Sequence, residues 1–88
     1  MTTEPGTLEF PCRIDIKAMG PAHDGFTATV VEIVRRHVPD LAEDAVTTRD
    51  SRQGNYVAVT VRVHAESREQ MDAIYRELTA HESVTIAL

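Results

Sequence analysis

The segment YVAVTVRVHAE, residues 56–66, decides the fold of this chain. Every second position from residue 57 to 63 holds a valine, so these apolar side chains lie on one side of an extended strand. β-branched residues are favoured where one face of a strand packs against a core. The alternation therefore predicts a strand that buries four valines: Val57, Val59, Val61 and Val63.

A second alternating segment, FPCRIDIKAMG, covers residues 10–20 and predicts a half-buried strand. Its end is typical of a turn, because the proline of Met19-Gly20-Pro21 cannot donate to a strand ladder and the glycine permits a sharp bend. The single cysteine lies on the inner side, which predicts a buried, unreactive thiol. The inner residues are Cys12, Ile14, Ile16 and Ala18, and the outer residues are Arg13, Asp15 and Lys17.

Two stretches have the spacing of amphipathic helices. The first has apolar residues at i, i+4, i+7, i+8 and i+12, with Asp24 as its predicted cap and Pro39 as its stop. The second begins with a capping box from Ser67 to Gln70. The apolar stripes are Phe26, Val30, Ile33, Val34 and Val38 in the first helix, and Met71, Ile74, Tyr75 and Leu78 in the second.

Two weaker strands complete the pattern. A polar strand over residues 45–50 is expected at an edge of the sheet, joined to the valine strand by a turn at Gly54-Asn55. A last strand directs Val84, Ile86 and Leu88 toward the core. The order βαββαβ predicts an α+β fold, a ferredoxin-like two-layer sandwich with an antiparallel sheet and two helices on one face. It forms a single domain over residues 10–88, after a flexible polar tail at residues 1–9.

The composition narrows the classes of function. Of the 88 residues, 42% are hydrophobic, and no apolar run has the length of about 20 residues that a membrane span needs. The net charge of −5 argues against binding to nucleic acid or to an acidic membrane. A single cysteine and the lack of a secretory signal in residues 1–10 predict a cytoplasmic protein. Phosphate loops, paired cysteines and nucleophile elbows are missing from the sequence, so we expect neither enzymatic activity nor a cofactor.

Four histidines are the residues best suited to a metal site. In the predicted fold, His37 and His64 lie at one end of the domain, and His23 and His81 lie at the other. Two histidines at each end fall short of the three or four ligands of a zinc site. We therefore expect no metal.

The outer side of the predicted sheet is a candidate interaction surface. Arg13, Asp15 and Lys17 face outward there, beside Thr60 and Arg62. A mixed-charge face of this kind suits a protein partner, and the open edges of the sheet suit pairing into a homodimer. An RNA-binding sheet displays several aromatic residues for base stacking, whereas only one aromatic residue is available here.

The end of the first strand is a candidate ligand site. The N-terminus of the following helix can hold an anionic or polar ligand, and glycines permit its close approach. Turn formation and helix capping also explain the same residues, so both interpretations stay open. The candidate ligand-binding residues are Met19, Gly20, Pro21, Asp24 and Gly25.

Five pieces of the chain, taken in order, resemble the YbeD family of small bacterial proteins of unknown function. The resemblance covers residues 8–88 and implies a ferredoxin-like fold similar to ACT regulatory domains, with no established activity. ACT domains bind small effectors, commonly amino acids, at the turn after the first strand and at dimer interfaces. The five pieces are Phe10–Gly20, Arg36–Pro39, Gly54–Tyr56, Ser67–Leu78 and Val84–Leu88.

These observations predict a small cytoplasmic regulatory or ligand-sensing module without enzymatic activity. The ligand expected from the resemblance is a small metabolite such as an amino acid. The alternative is an adaptor that binds a protein through its sheet face or an edge strand, without a small ligand.

Overall fold

The valine segment forms strand β3 (Tyr56–Ala65), which is paired on both sides and lies inside the sheet. Strand β1 (Cys12–Pro21) lies beside it through ten antiparallel residue pairs, from Cys12 with Ala65 to Pro21 with Tyr56. Strands β2 (Val46–Asp50) and β4 (Ile86–Ala87) form the two edges, in the order β2-β3-β1-β4. The computed structural model describes residues 9–22 and 25–88.

Helices α1 (Phe26–His37) and α2 (Arg68–Ala80) complete the element order and pack on the inner face of the sheet. The predicted ferredoxin-like βαββαβ sandwich is thereby confirmed. A short 3-10 turn at Glu43–Ala45 leads into β2, which lies at an edge as predicted and begins one residue later than expected.

The core lies between the sheet and the two helices. The four valines of β3 are each at most 7% exposed, and the whole apolar stripe of α1 is buried with them. Each fully buried large apolar side chain contributes roughly 1.5–3 kcal/mol to folding. Packing of this layer therefore holds the fold together, and its largest fully buried side chains are Phe26, Ile16, Ile74 and Leu78.

The turn predicted at residues 19–21 is wrong, because β1 continues through all three of them. Pro21 lies opposite Tyr56, and the next bond in the ladder runs from the Ala22 N–H to the Asn55 carbonyl oxygen, at 2.9 Å. Since backbone groups alternate in direction along a strand, the nitrogen of Pro21 points away from β3. It points to the side of β1 on which β4 lies. Because β4 pairs with β1 only up to residue 19, the missing N–H of Pro21 removes no hydrogen bond from the ladder.

Helix α1 is preceded by Gly25 at its cap position rather than by the predicted Asp24. Gly25 has φ of 94° and makes no side-chain cap. A left-handed backbone of this kind favours glycine, which explains why this residue introduces the helix. Asp24 itself lies outside the described residues, as does His23.

The inward direction predicted for Ile86 and Leu88 is also wrong. These side chains are 46% and 66% exposed, whereas the residue at position 84 is buried as predicted. The pairing with β1 explains the difference, because Ile86 lies opposite the outward Met19, and Ala87 lies opposite the buried Ala18. The contacts with β1 decide the direction of this short strand.

The predicted Ser67 cap of α2 is confirmed, but the return bond of Gln70 goes to the N–H of Glu66 and not to that of Ser67, as a full capping box would require. The backbone N–H of Gln70 donates to Ser67 Oγ at 3.1 Å. The side-chain amide of Gln70 also accepts a hydrogen bond from the Glu66 N–H at 2.7 Å and donates one to the His37 carbonyl oxygen at 2.8 Å. One side chain therefore joins the end of α1 to the start of α2.

Gly20 gives a direct test of the core. A Cβ atom added at this position would meet the ring of Phe26 and the carbonyl oxygen of Ser83. We expect Gly20→Ala to lower the free energy of unfolding by about 1–3 kcal/mol, as over-packed core sites do. Urea denaturation followed by circular dichroism measures the change.

A double-mutant cycle shows whether the Phe26 ring causes this loss. Since leucine removes part of the ring, Phe26→Leu should cost less stability in Gly20→Ala than in the unchanged chain. Gly54→Ala is the matched control, because Gly54 has φ of 73° with open space around it. Its effect should add to that of Phe26→Leu, and additivity at Gly20 as well would contradict the proposed contact.

Candidate functional site

The outer side of the sheet is not covered by either helix, and we refer to it as the open face. Antiparallel pairing sets its side chains in rows across the four strands, and most of them are exposed. The open face is made of Arg13, Asp15, Lys17, Met19 and Pro21 from β1, Thr47 and Arg49 from β2, Tyr56, Ala58, Thr60, Arg62 and His64 from β3, and Ile86 and Leu88 at β4.

One end of the open face holds the residues that the sequence predicts as an interaction surface. Arg62 Nε lies 3.5 Å from Asp15 Oδ1, and about half or more of each side chain is exposed, at 62% and 49%. An exposed ion pair of this kind stabilises a fold by at most about 1 kcal/mol. Both side chains can therefore give up this contact and pair with a partner protein instead. The register places all five predicted residues together, with Arg13 opposite His64, Asp15 opposite Arg62 and Lys17 opposite Thr60.

The other end of the open face is apolar, which sequence analysis missed. Met19, Tyr56, Ile86 and Leu88 are 36%, 49%, 46% and 66% exposed. The first three lie at this end, and Leu88 borders it in the next row, opposite Lys17. The alternation of β1 already carries part of the signal, because Met19 follows the outward Lys17 by two positions. The contributions of Ile86 and Leu88 depend on pairing with β1, which the sequence of β4 does not reveal.

The predicted ligand site at the end of β1 is divided between the two faces of the sheet. Gly20 is buried on the inner side, where the Phe26 ring occupies the space that a ligand would need to approach its backbone. Met19 and Pro21 are exposed on the open face, and Gly25 is exposed beyond the strand. Asp24 lies outside the described residues. The ligand-binding role of these residues stays a prediction.

A cleft of about 610 Å³ lies at the end of the domain where α1 ends. Both His37 and His64 line it, so these two histidines lie at one end as the sequence predicts. Arg13 adds a positive charge to the lining, and Val38 and Leu41 add apolar surface. Small-molecule sites occupy roughly 300–1,000 Å³ with an apolar lining and a few polar groups, so this cleft has the size of such a site.

An ionic network on the helices lies away from the open face. Glu77 of α2 accepts from Arg36 Nη1 at 2.6 Å and lies 2.8 Å from His37 Nε2, while Arg36 Nη2 also bonds Glu32 at 2.8 Å. The hydrogen bond with His37, together with the charge of Arg36, lowers the pKa of Glu77. The network ties α2 to the last turn of α1, where a basic side chain also suits the helix dipole.

His81 and Cys12 are two further residues of types that can bind metals or take part in catalysis. His81 follows α2, and its Nδ1 accepts a hydrogen bond from the Ser83 N–H at 3.1 Å. Cys12 is a free thiol and is only partly buried, less than the sequence predicts.

Within residues 9–22 and 25–88, no group of three or more His, Cys, Asp or Glu side chains could hold a metal ion. In the same part of the chain, no helix has both the length and the apolar character needed to span a membrane.

Residues 6–88 match a family model described as "Protein of unknown function (DUF493)". A UPF0250 protein of Chromobacterium violaceum is 51% identical over 81 residues, which cover 92% of this chain and 91% of that protein. A UPF0250 protein of Neisseria gonorrhoeae is 48% identical over 81 residues, covering 92% and 89%. One from Leptothrix cholodnii is 45% identical over 85 residues, covering 97% and 93%.

The solution structure of protein HP0495 from H. pylori is similar over the whole chain. It has a TM-score of 0.70 and 14% sequence identity, and the match covers 100% of this chain and 94% of that one. At this identity the likeness concerns the fold alone, and it agrees with the ferredoxin-like arrangement of the two layers.

The pKa of Glu77 predicts a pH dependence of stability. Because the folded value lies below the ordinary value of 4.5, ionised Glu77 stabilises the fold above that pH, and the contribution is lost as pH falls through the folded value. We expect Glu77→Gln to be less stable than the unchanged chain at about pH 6, with the difference shrinking toward about pH 3. Urea denaturation across this range measures it.

Glu82→Gln is the matched control for this experiment. Glu82 is exposed and has no ion pair within the described part of the chain. It should therefore give nearly the same stability difference at every pH. A difference for Glu77→Gln that stays constant with pH would contradict the role of the network.

Proposed function

Because the chain belongs to the DUF493 family, which is described as being of unknown function, we propose a role from its own surface. It is a non-enzymatic regulatory module that acts by binding a partner protein with its open face. The family membership confirms the YbeD-like resemblance of the sequence. The proposal places the protein in the cytoplasm, where its single cysteine, Cys12, stays reduced.

The observation that carries this proposal is the exposed apolar end of the open face. Single apolar residues are common on protein surfaces and need no explanation. Here Met19 lies opposite both Ile86 and Ala58, with Tyr56 and Leu88 one row away on either side, so the apolar side chains are neighbours. A contiguous exposed patch of this kind marks a binding surface. It contributes little to folding, because the core lies on the other face of the sheet.

The ionisable groups with a shifted pKa do not by themselves indicate catalysis. Within the described residues these groups are Arg36, Tyr75 and Glu77, which lie on the helices. Arg36 and Glu77 line a depression of about 300 Å³, but the pKa shift of each follows from its hydrogen bonds and ion pairs in the network with Glu32 and His37. Burial raises the pKa of Tyr75. Structural ion-pair networks also shift pKa values, so these groups need no catalytic role.

Small-ligand sensing is the second candidate function, and the cleft of about 610 Å³ favours it. The cleft contains both charge signs, from Arg62 and Asp44 for example, beside apolar Leu41. A small zwitterionic metabolite such as an amino acid fits this combination. Binding there would regulate the partner interaction, because Arg13 and Arg62 belong to both the cleft and the open face.

The apolar end can be tested with Met19→Ser combined with Ile86→Ser. We expect the full chain, produced at its natural level, to elute from gel filtration of a cell extract well above its own mass of 9.8 kDa. The double variant should elute later, because the partner loses its apolar contact. Ala28→Ser with Val31→Ser is the matched control on the exposed side of α1 and should elute like the unchanged chain.

Two further measurements separate the alternatives. If the purified chain alone elutes at the same position as in the extract, and the double variant elutes later in both, a second copy occupies the open face and the partner proposal is wrong. A thermal-shift screen with amino acids should raise the melting temperature if the cleft binds one of them, by mass action. The shift should disappear with Leu41→Trp, which fills the cleft.

A further inference from the structure

The charges of this protein are distributed unevenly over its two layers. Within the described part of the chain, the open face carries four of the nine Lys and Arg residues but only one of the twelve Asp and Glu residues. Its formal charge is therefore +3, in a chain whose net charge is −5. The four basic residues are Arg13, Lys17, Arg49 and Arg62, and the acidic one is Asp15.

Three of these four basic side chains are available to a partner. Arg62 has its weak contact with Asp15. Arg13, Lys17 and Arg49 are exposed and make no side-chain hydrogen bond or ion pair with any other described residue. Most of the positive charge on the open face is therefore not paired with a carboxylate on the same face.

The apolar end contains a recess that fits a side chain. A depression of about 240 Å³ lies over Ala58. Met19 and Tyr56 line it, and so do Arg49, Asp50 and Ser51, where β2 ends. The small side chain of Ala58 leaves this space between larger neighbours on three strands. Binding hot spots are commonly apolar side chains seated in such pockets, with polar contacts around them.

We propose that the open face binds an acidic segment of a partner protein, which seats one apolar side chain in the depression over Ala58 and turns its carboxylates toward Lys17 and Arg49. This inference rests on the proposed function, namely that the open face is the binding surface. It adds the chemistry of the partner, which follows from charge complementarity.

Charge also decides between this partner and other occupants. Two copies stacked through their open faces would bring two surfaces of +3 together, which is unfavourable. A nucleic acid would meet only four basic residues and one exposed aromatic side chain, Tyr56, on this face. Base stacking and phosphate binding both need more than this face provides.

The experiment starts with cross-linking in living cells. A photo-reactive amino acid replaces Thr60, at the centre of the open face, in the otherwise complete chain, and the cross-linked protein segment is sequenced. We expect a segment with a net negative charge that contains apolar residues. A synthetic peptide of this segment is then titrated against the purified chain by calorimetry.

Two charge-matched double variants test the electrostatic part. Lys17→Glu with Arg49→Glu should weaken peptide binding by about tenfold or more, because two attractive contacts become repulsive. Arg35→Glu with Arg76→Glu changes the net charge equally on the exposed sides of the helices and should change affinity less than about twofold. Ala58→Phe fills the depression and should also weaken binding, with circular dichroism confirming that each variant is folded.

The outcomes separate this inference from the function on which it rests. The acidic partner is overturned if the cross-linked protein segment has no net negative charge and binds the Lys17→Glu, Arg49→Glu variant as tightly as the unchanged chain. That outcome leaves the open face as the binding surface. A cross-link to nucleic acid or to a second copy of this chain overturns both the inference and the partner proposal. Cross-links from a helix position such as Arg35, with none from position 60, also overturn both.

Discussion

The ladder of ten antiparallel pairs between β1 and β3 is the constraint on which the rest of the structure depends. Side chains alternate across a strand, so a single register decides which residues enter the core and which reach the open face. A shift of β1 by one residue against β3 would set Lys17 opposite Val61, and it would bring Lys17 inward in place of Ile16. The apolar layer that receives the helices and the basic surface on the opposite side are therefore two results of the same pairing.

The sequence predicts those parts of the fold whose signals are local and repeated. The valines of β3, the stripe of α1 and the Ser67 cap of α2 each depend on spacing within one element, and each is found as predicted. The end of β1 and the direction of β4 could not be predicted in this way. A proline such as Pro21 is acceptable in a strand only where its nitrogen faces no partner, and this depends on how far β4 reaches. Likewise, β4 is too short for its own pattern to determine which side is buried.

The candidate surface was predictable to a similar degree. The outward positions of Arg13, Asp15 and Lys17 follow from alternation, and the pairing of β1 with β3 in the predicted fold places Thr60 and Arg62 beside them. The apolar residues of the same face come from strands far apart in the sequence, so only the assembled sheet shows that they are neighbours. The ligand hypothesis around Gly20 illustrates a related limit. A glycine that admits a ligand and a glycine that admits a phenylalanine ring look the same in a sequence.

The contacts of Gln70 have a consequence for which amino acids the chain can accept there. Its side chain accepts one hydrogen bond at the start of α2 and donates another to the last residue of α1. Glutamate has no donor and lysine has no acceptor, so neither can make both bonds. Asparagine has the right groups but is one methylene shorter. The position therefore requires a neutral amide of one particular length, and substitution at residue 70 would remove the hydrogen bond that joins the start of α2 to the end of α1, even where the charge and polarity of the surface remain acceptable.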